Sequence, residues 1–214
     1  MKTLTRRALT LASLAILATP ALAARHSKPL SPEDQGLVDR AATYLQGLAE
    51  AKGRFVQTDA RGNQSQGEFY LKRPGKARFA YDPPSGLLVV ADGANVSILN
   101  SQLKTFDRYP LMATPLSIFL ARQIRLDRGI VVAEVSRAAD GFSIVARDGR
   151  RQAEGQITLT FSDNPISLVG WVVTDAQGQS TSIRLSSFAP ISGLPGSLFK
   201  LRDPRPPAPG RARM

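Results

Sequence analysis

Short stretches of this chain alternate apolar and polar residues one by one, and that period of two is the tightest constraint on its fold. In GEFYLK, Gly67, Phe69 and Leu71 share one side while Glu68, Tyr70 and Lys72 share the other. KARFAY sets Ala77, Phe79 and Tyr81 against Lys76, Arg78 and Ala80, and QITLTF sets Ile157, Leu159 and Phe161 against Gln156, Thr158 and Thr160. Such alternation predicts antiparallel strands with one apolar and one wet face. Turn-forming pairs punctuate the runs at Asp92-Gly93, Asp140-Gly141, Asp148-Gly149, Asp163-Asn164-Pro165 and Gln177-Gly178. With LLVVA, VSILN, LKTFD, VVAEVSR, FSIVAR, SLVGWVVTD and STSIRLSSF the strands number about ten or eleven. So many hairpin-linked strands predict a mainly β fold, a strongly curved antiparallel sheet or a barrel.

Two segments break the pattern. Ser31-Pro32-Glu33-Asp34 offers a cap, a proline for the first helical position and acids for the positive end of the dipole. Leu37, Ala41, Tyr44, Leu45 and Leu48 then recur at helical spacing, which predicts an amphipathic helix over Pro32 to Ala51. Midway, Thr114-Pro115 opens a short helix in which Leu116, Phe119 and Leu120 share a face. Two helices are thus available to cover the apolar face of the sheet. They either complete a closed core or roof a cavity for an apolar ligand.

The ends of the chain carry other signals. MKTLTRR is basic, runs into an apolar stretch and reaches Ala21-Leu22-Ala23, the pattern of a secretory signal peptide over residues 1–23. The Arg6-Arg7 pair fits twin-arginine or general export alike. Losing Lys2, Arg6 and Arg7 lowers the net charge from +11 to +8. This surplus is diffuse, which suits attraction to anionic headgroups and argues against nucleic-acid binding. Residues 24–201 read as one domain. Residues 202–214, RDPRPPAPGRARM, read as a disordered tail.

The chemistry open to such a chain is narrow. The sequence has no cysteine and a single histidine, His26, beside the expected processing site. Ser-His-Asp and Cys-His nucleophilic sites and the common zinc arrangements are therefore excluded. Asp92, Asp140 and Asp148 each precede a glycine, where they serve turns. The expectation is a binding protein with no catalytic residue, metal or cofactor. Strand alternation and helical spacing nominate Phe69, Leu71, Phe79, Tyr81, Leu88, Val90, Ile98 and Phe106 on the sheet and Leu116, Phe119 and Leu120 on the short helix as the cavity lining. One further step of the alternation turns Arg73 toward the apolar face just before Pro74. Its five donors then require carbonyl or carboxylate oxygens, which the end of a covering helix supplies; a snorkelling arginine at a strand end fits the same pattern.

In their order along the chain, FVQ (Phe55 to Gln57), GEFYLKRPGKARFAY (Gly67 to Tyr81), LLVVADG (Leu87 to Gly93), TPLSIFLA (Thr114 to Ala121) and TDAQGQSTSIRLSSF (Thr174 to Phe188) resemble the LolA family of periplasmic outer-membrane lipoprotein carriers. The resemblance covers the chain from the first helix up to the tail. It implies an unclosed barrel whose helices form a lid over an apolar concave face that takes lipoprotein acyl chains. It also implies that Arg73, the arginine of the KRP motif, is a latch holding the short helix beginning at Pro115. The implied partners are acylated lipoproteins, an ATP-driven inner-membrane exporter, and an outer-membrane receptor or the membrane itself, with the carrier a monomer. A carrier of another lipid, such as a glycolipid or hopanoid, and a lipid-sensing regulatory domain would use the same scaffold. Export predicts a mature chain that starts at Ala24. Intact-mass measurement of protein from the periplasmic fraction checks it, and retention of Met1 would overturn it.

Overall fold

A computed structural model describes residues 29–124, 129–150 and 154–205. The expected signal segment, His26 and the last nine residues of the expected tail lie outside them. Helix α1 (Pro32–Gly47) starts as its sequence predicts: the Asp34 N–H donates to Ser31 Oγ at 3.1 Å, and Glu33 and Asp34 occupy the first turn. It stops short of the expected Ala51. The Leu48 N–H closes the last turn on Leu45 O, and strand pairing with Lys72 and Leu71 claims the backbone of Glu50 and Ala51.

Eleven strands follow: β1 (Glu50–Thr58), β2 (Gln64–Lys72), β3 (Lys76–Tyr81), β4 (Leu87–Asp92), β5 (Asn95–Asn100), β6 (Thr105–Pro110), β7 (Ile130–Arg137), β8 (Gly141–Asp148), β9 (Gln156–Asp163), β10 (Ile166–Thr174) and β11 (Ser180–Pro190). Between β6 and β7 the chain makes a 3-10 turn (Leu111–Ala113) and the short helix α2 (Leu116–Leu120). Thr114 does not cap α2 as its position suggests; its hydroxyl donates to Leu111 O at 2.8 Å, back into the preceding turn.

The strands form one antiparallel sheet in the order β6-β5-β4-β3-β2-β1-β11-β10-β9-β8-β7. It is unclosed: β6 and β7 are its two edges. Expected turn residues close the hairpins. Asp92 accepts from the N–H groups of Ala94 and Asn95 at 2.9 and 2.8 Å, with Gly93 at φ +107°. Gly67 sits where a Cβ would stand 2.1 Å from the Ala80 carbonyl oxygen, so the inward side of β2 opposite β3 accepts no side chain there.

Both faces of one half of the sheet are covered. On the inner face a contiguous core joins Val38, Ala41 and Leu45 of α1, Ile118, Phe119 and Leu120 of α2, and apolar residues from β1 to β5 and β8 to β11. On the outer face the chain after β11 runs back as a strap. Val90 of β4 packs with Leu194 and Phe199 there, flanked by Leu88 and Tyr70. Basic side chains fasten the strap through its carbonyls: Lys72 Nζ donates to Leu194 O (2.6 Å), Arg78 to Leu198 O (3.1 Å) and Arg108 to Leu201 O (3.2 Å). Arg205 donates to Phe106 O at 3.0 Å, and the guanidinium groups of Arg108 and Arg205 lie 5.5 and 5.8 Å from the Phe106 ring centroid. Residues 202–205, which composition assigns to the tail, thus lie along β6.

The strap begins at a two-point clamp. Glu50 accepts from the Leu194 N–H at 2.7 Å while Lys72 binds the Leu194 carbonyl, and Glu50 and Lys72 pair at 2.7 Å. The Lys72 ammonium, followed by the Leu194 N–H, holds the Glu50 carboxyl below the usual carboxylate range. A carboxyl lowered by folding stabilises the attached form above its unfolded pKa and loses that contribution as the pH falls through the lower folded value. The strap should therefore stay attached at neutral pH and loosen below about pH 4. Hydrogen exchange at the Leu194 and Leu198 amides measures this; in Glu50→Gln exchange should already be faster at pH 7 and its acid dependence should flatten.

Candidate functional site

The inner face beneath the two helices is the part of the molecule best built for an apolar ligand. Register fixes which side chains reach it. Phe69 faces Phe79 across β2 and β3, Phe79 faces Val89 across β3 and β4, and Val89 faces Ile98 across β4 and β5. Directly paired residues point to the same face, so this row runs inward. Phe69, Leu71, Phe79, Phe119 and Leu120 are buried together, and Tyr81 and Leu116 pack at the rim of the same core. Ile98 lies on this face half-exposed.

Three nominated residues belong elsewhere. Leu88 pairs with Ala80 and Leu99, Val90 with Arg78 and Ser97, and Phe106 with Leu99, all on the outer face under the strap. The reason is physical: β4 is buried on both sides, so LLVV is apolar at both parities, and an apolar residue there carries no information about direction. The inward residues of β4 are Val89 and Ala91.

The centre of the face is a residue that alternation misses. Trp171 of β10 stacks on Phe119 of α2, with ring centroids 5.4 Å apart and planes at 27°, and touches Phe69 at 5.4 Å and Phe79 at 6.0 Å. Leu168 and Trp171 are both buried although their numbers differ by an odd step. An irregularity in the pairing with β9 between Leu168 and Gly170 resets the alternation, leaving Val169 37% exposed. Phe55, edge-on to Phe79 and Tyr81 at 5.4 and 5.0 Å, completes the aromatic group. Burial pushes the Tyr81 phenol up to about 12, and its hydroxyl donates to Gln57 Oε1 at 2.5 Å. It therefore stays a neutral donor at any physiological pH.

Side chains of the helices fill the space over this face. The polar ties that hold them are few. At its start α1 is pinned by Arg137 of β7, which pairs with Glu33 (2.9 Å) and Asp34 (3.0 Å), and at mid-helix its own Arg40 pairs with Asp163 at the end of β9 (2.6 Å). At its end the Arg73 guanidinium donates to Leu45 O, and the Arg73 N–H donates to Ala49 O at 2.8 Å. This corrects the expected partner: Arg73 holds α1, and α2 is tied instead by the Gly75 N–H to Leu120 O at 2.8 Å. Chain continuity explains it. The end of α1 leads into β1, β1 pairs with β2, and Glu50 sits opposite Lys72, so the last helical turn with its Leu45 carbonyl arrives beside Arg73. Burial disfavours the charged guanidinium and lowers its pKa. Arg73 Nε is buried with no hydrogen-bond partner among the described residues.

Among the described residues no cluster of His, Asp or Glu is arranged to hold a metal ion. A cleft elsewhere, at the far end of β1 and β2, mixes Gln64, Gln66, Asp82 and Arg184 with Val56, Pro83 and Pro84.

Comparison with known proteins identifies the family. The family model described as outer membrane lipoprotein carrier protein LolA matches residues 46–202. The outer-membrane lipoprotein carrier protein of Pseudoalteromonas translucida is 28% identical over 214 residues, covering 95% of this chain and 94% of its own. That of Leptothrix cholodnii is 27% identical over 172 residues, covering 75% and 79%. Among solved structures, a LolA superfamily protein from Nitrosomonas europaea aligns over 78% of this chain and 97% of its own at 10% identity, with a TM-score of 0.47. With the family match running from the last turn of α1 through the strap, the chain belongs to the LolA family of outer membrane lipoprotein carrier proteins.

Proposed function

We infer that this protein is a periplasmic carrier that shields the acyl chains of lipoproteins between the inner face of its sheet and the two helices. The observation that carries this reading is the Arg73 latch. A guanidinium at the border of an apolar face makes one side-chain bond to a helix carbonyl and leaves Nε unpaired. A buried unsatisfied donor costs about 1–3 kcal/mol, so the closed form is held but is not at its lowest attainable energy. Cargo that displaces the helices regains that cost and adds roughly 0.8 kcal/mol for each methylene it buries.

A sheet that curls around cargo fits the same observations. Phe79 and Trp171 stand four strands apart, roughly 19 Å along a flat sheet, yet their ring centroids are 6.0 Å apart. A strongly curved face accounts for that approach and supports the reading as an unclosed barrel with a concave side. In this scheme the carrier receives lipoprotein from an ATP-driven inner-membrane exporter and gives it to an outer-membrane receptor or to the membrane. A lid held by a few hydrogen bonds makes both steps possible, and the carrier itself uses no nucleotide.

Trp171 is the one tryptophan of the chain and stacks on the lid residue Phe119, so its fluorescence reports cargo entry directly. Titration with a triacylated peptide should change its emission in a saturable way, while the same peptide without acyl chains leaves it unchanged. Phe119→Asp should abolish the response with the β-sheet circular-dichroism signal retained; an unaltered response in that variant would overturn the assignment. A response to glycolipid instead of acylated peptide would make the protein a carrier of another lipid.

Replacing Arg73 with leucine removes the bond to Leu45 O and adds apolar surface under the lid. A single hydrogen bond from a charged donor is worth about 1.5–3 kcal/mol, so the balance between closed and cargo-filled forms should move roughly tenfold or more toward the filled one. Loading from inner-membrane vesicles should be retained by Arg73→Leu and delivery to outer membrane lost. Normal delivery would reduce Arg73 to a strand-end residue.

A further inference from the structure

Arg73 makes no side-chain bond to α2, yet a lid made of two helices has to clear the inner face as a whole for a long apolar chain to enter. Gln46 supplies the missing link. It lies in the last turn of α1, next to Leu45, whose carbonyl holds the Arg73 guanidinium. Its side-chain amide reaches the segment just after α2 and uses both of its ends: Nε2 donates to Arg122 O at 3.2 Å, and Oε1 accepts from the Ile124 N–H at 3.0 Å. A carbonyl and an N–H two residues apart on one bent segment are what a planar carboxamide can bind at once. Ile124 is itself buried in the core, so the segment grasped by Gln46 is anchored where α2 ends.

The ties therefore meet within a few residues. Arg73 holds the end of α1, Gly75 in the same turn holds the end of α2, and Gln46 joins α1 to the chain that leaves α2. The other fastenings of α1 lie away from that end: Arg137 to Glu33 and Asp34 in the first turn, and Arg40 to Asp163 at mid-helix. Opening at the latch end thus pulls on α2 through Gln46, and through no other side-chain hydrogen bond among the described residues.

We propose that Gln46 is a positioning residue that couples the two helices, so that release of the Arg73 latch frees α1 and α2 as one body. The proposal rests on the carrier reading for its purpose, but its mechanical content belongs to the empty protein. Gln46 is exposed and sits in a helix, so Gln46→Met keeps length and helical propensity while removing both bonds. Gln46→Glu is a second variant: it keeps an acceptor for the Ile124 N–H and places a second acceptor against Arg122 O.

The test is hydrogen exchange followed by mass spectrometry on the empty protein, comparing peptides that cover α1 with peptides that cover residues 114–124. Arg73→Leu should accelerate exchange in both regions by a similar factor, about tenfold. In Arg73→Leu combined with Gln46→Met, and likewise with Gln46→Glu, the acceleration should persist at the end of α1 and fall to less than about threefold in α2. Parallel acceleration of both helices in the double variants, or acceleration of α1 alone in Arg73→Leu, overturns the coupling. A purely structural role for Gln46 would accelerate exchange across strands such as β9 as well, which also overturns it. Triacylated peptide added to the same samples separates the two readings. Absence of any Trp171 response in the wild-type protein removes the carrier function, whereas the exchange pattern of the empty protein judges the coupling by itself.

Discussion

The pairing of β1 with β11 is the contact on which the molecule is built. Every other strand pair joins neighbours in sequence, so the chain makes two meanders, β1 to β6 and β7 to β11. Only the ladder between Ala51–Thr58 and Ser182–Pro190 fuses them. With these two strands in the middle, β6 and β7 become the opposite edges of one sheet. The chain between them must then travel from one edge to the other, and with the outer face of β2 to β6 occupied by the strap, it crosses the inner face. Helix α2 covers the inner face because topology sends it there; its apolar residues Ile118, Phe119 and Leu120 let it stay. On its other side β1 pairs with β2, which delivers the end of α1 to the end of β2, and so Arg73 finds a helix terminus to hold.

This arrangement accounts for a sheet that is coated with apolar side chains and yet covered loosely. Backbone hydrogen bonds hold strands to strands, but nothing of that kind can hold a helix to a sheet face. The helices depend on side-chain packing, on guanidinium groups and on single main-chain bonds at the Arg73–Gly75 turn. Packing is non-directional, whereas the polar ties fix which helix end meets which strand end.

Much of this was legible in the sequence where one face of a strand meets water. In β2, β3 and β9 the alternation identifies the inward residues correctly, and the cap at Ser31 places the start of α1. Legibility fails where physics erases the signal. Leu88 and Val90 look like lining residues because β4 is buried on both sides, and Phe106 because the strap and two guanidinium groups cover it on the outer face. Trp171 is hidden by the irregularity at Leu168–Gly170, which shifts the phase without altering composition. The partner of Arg73 was misjudged for another reason: parity gives the direction of a side chain but not which helix end waits there. That information lies in the continuity of α1 with β1. Only the last residues of the strap, 202–205, were obscured: their proline and arginine content suggests disorder, yet Arg205 binds the Phe106 carbonyl and lies over its ring.

The clamp at Leu194 has a consequence for variation. Glu50 and Lys72 hold that residue by its N–H and its carbonyl, groups that every amino acid except proline possesses. Arg78 and Arg108 likewise hold the carbonyls of Leu198 and Leu201. The strap is thus addressed by position along the backbone, and the side chains at those three places are left to answer only to the apolar surface beneath them. Recombination could exchange one C-terminal segment for another of the same spacing and still find its fastenings intact, provided the acid and the bases on the sheet remained.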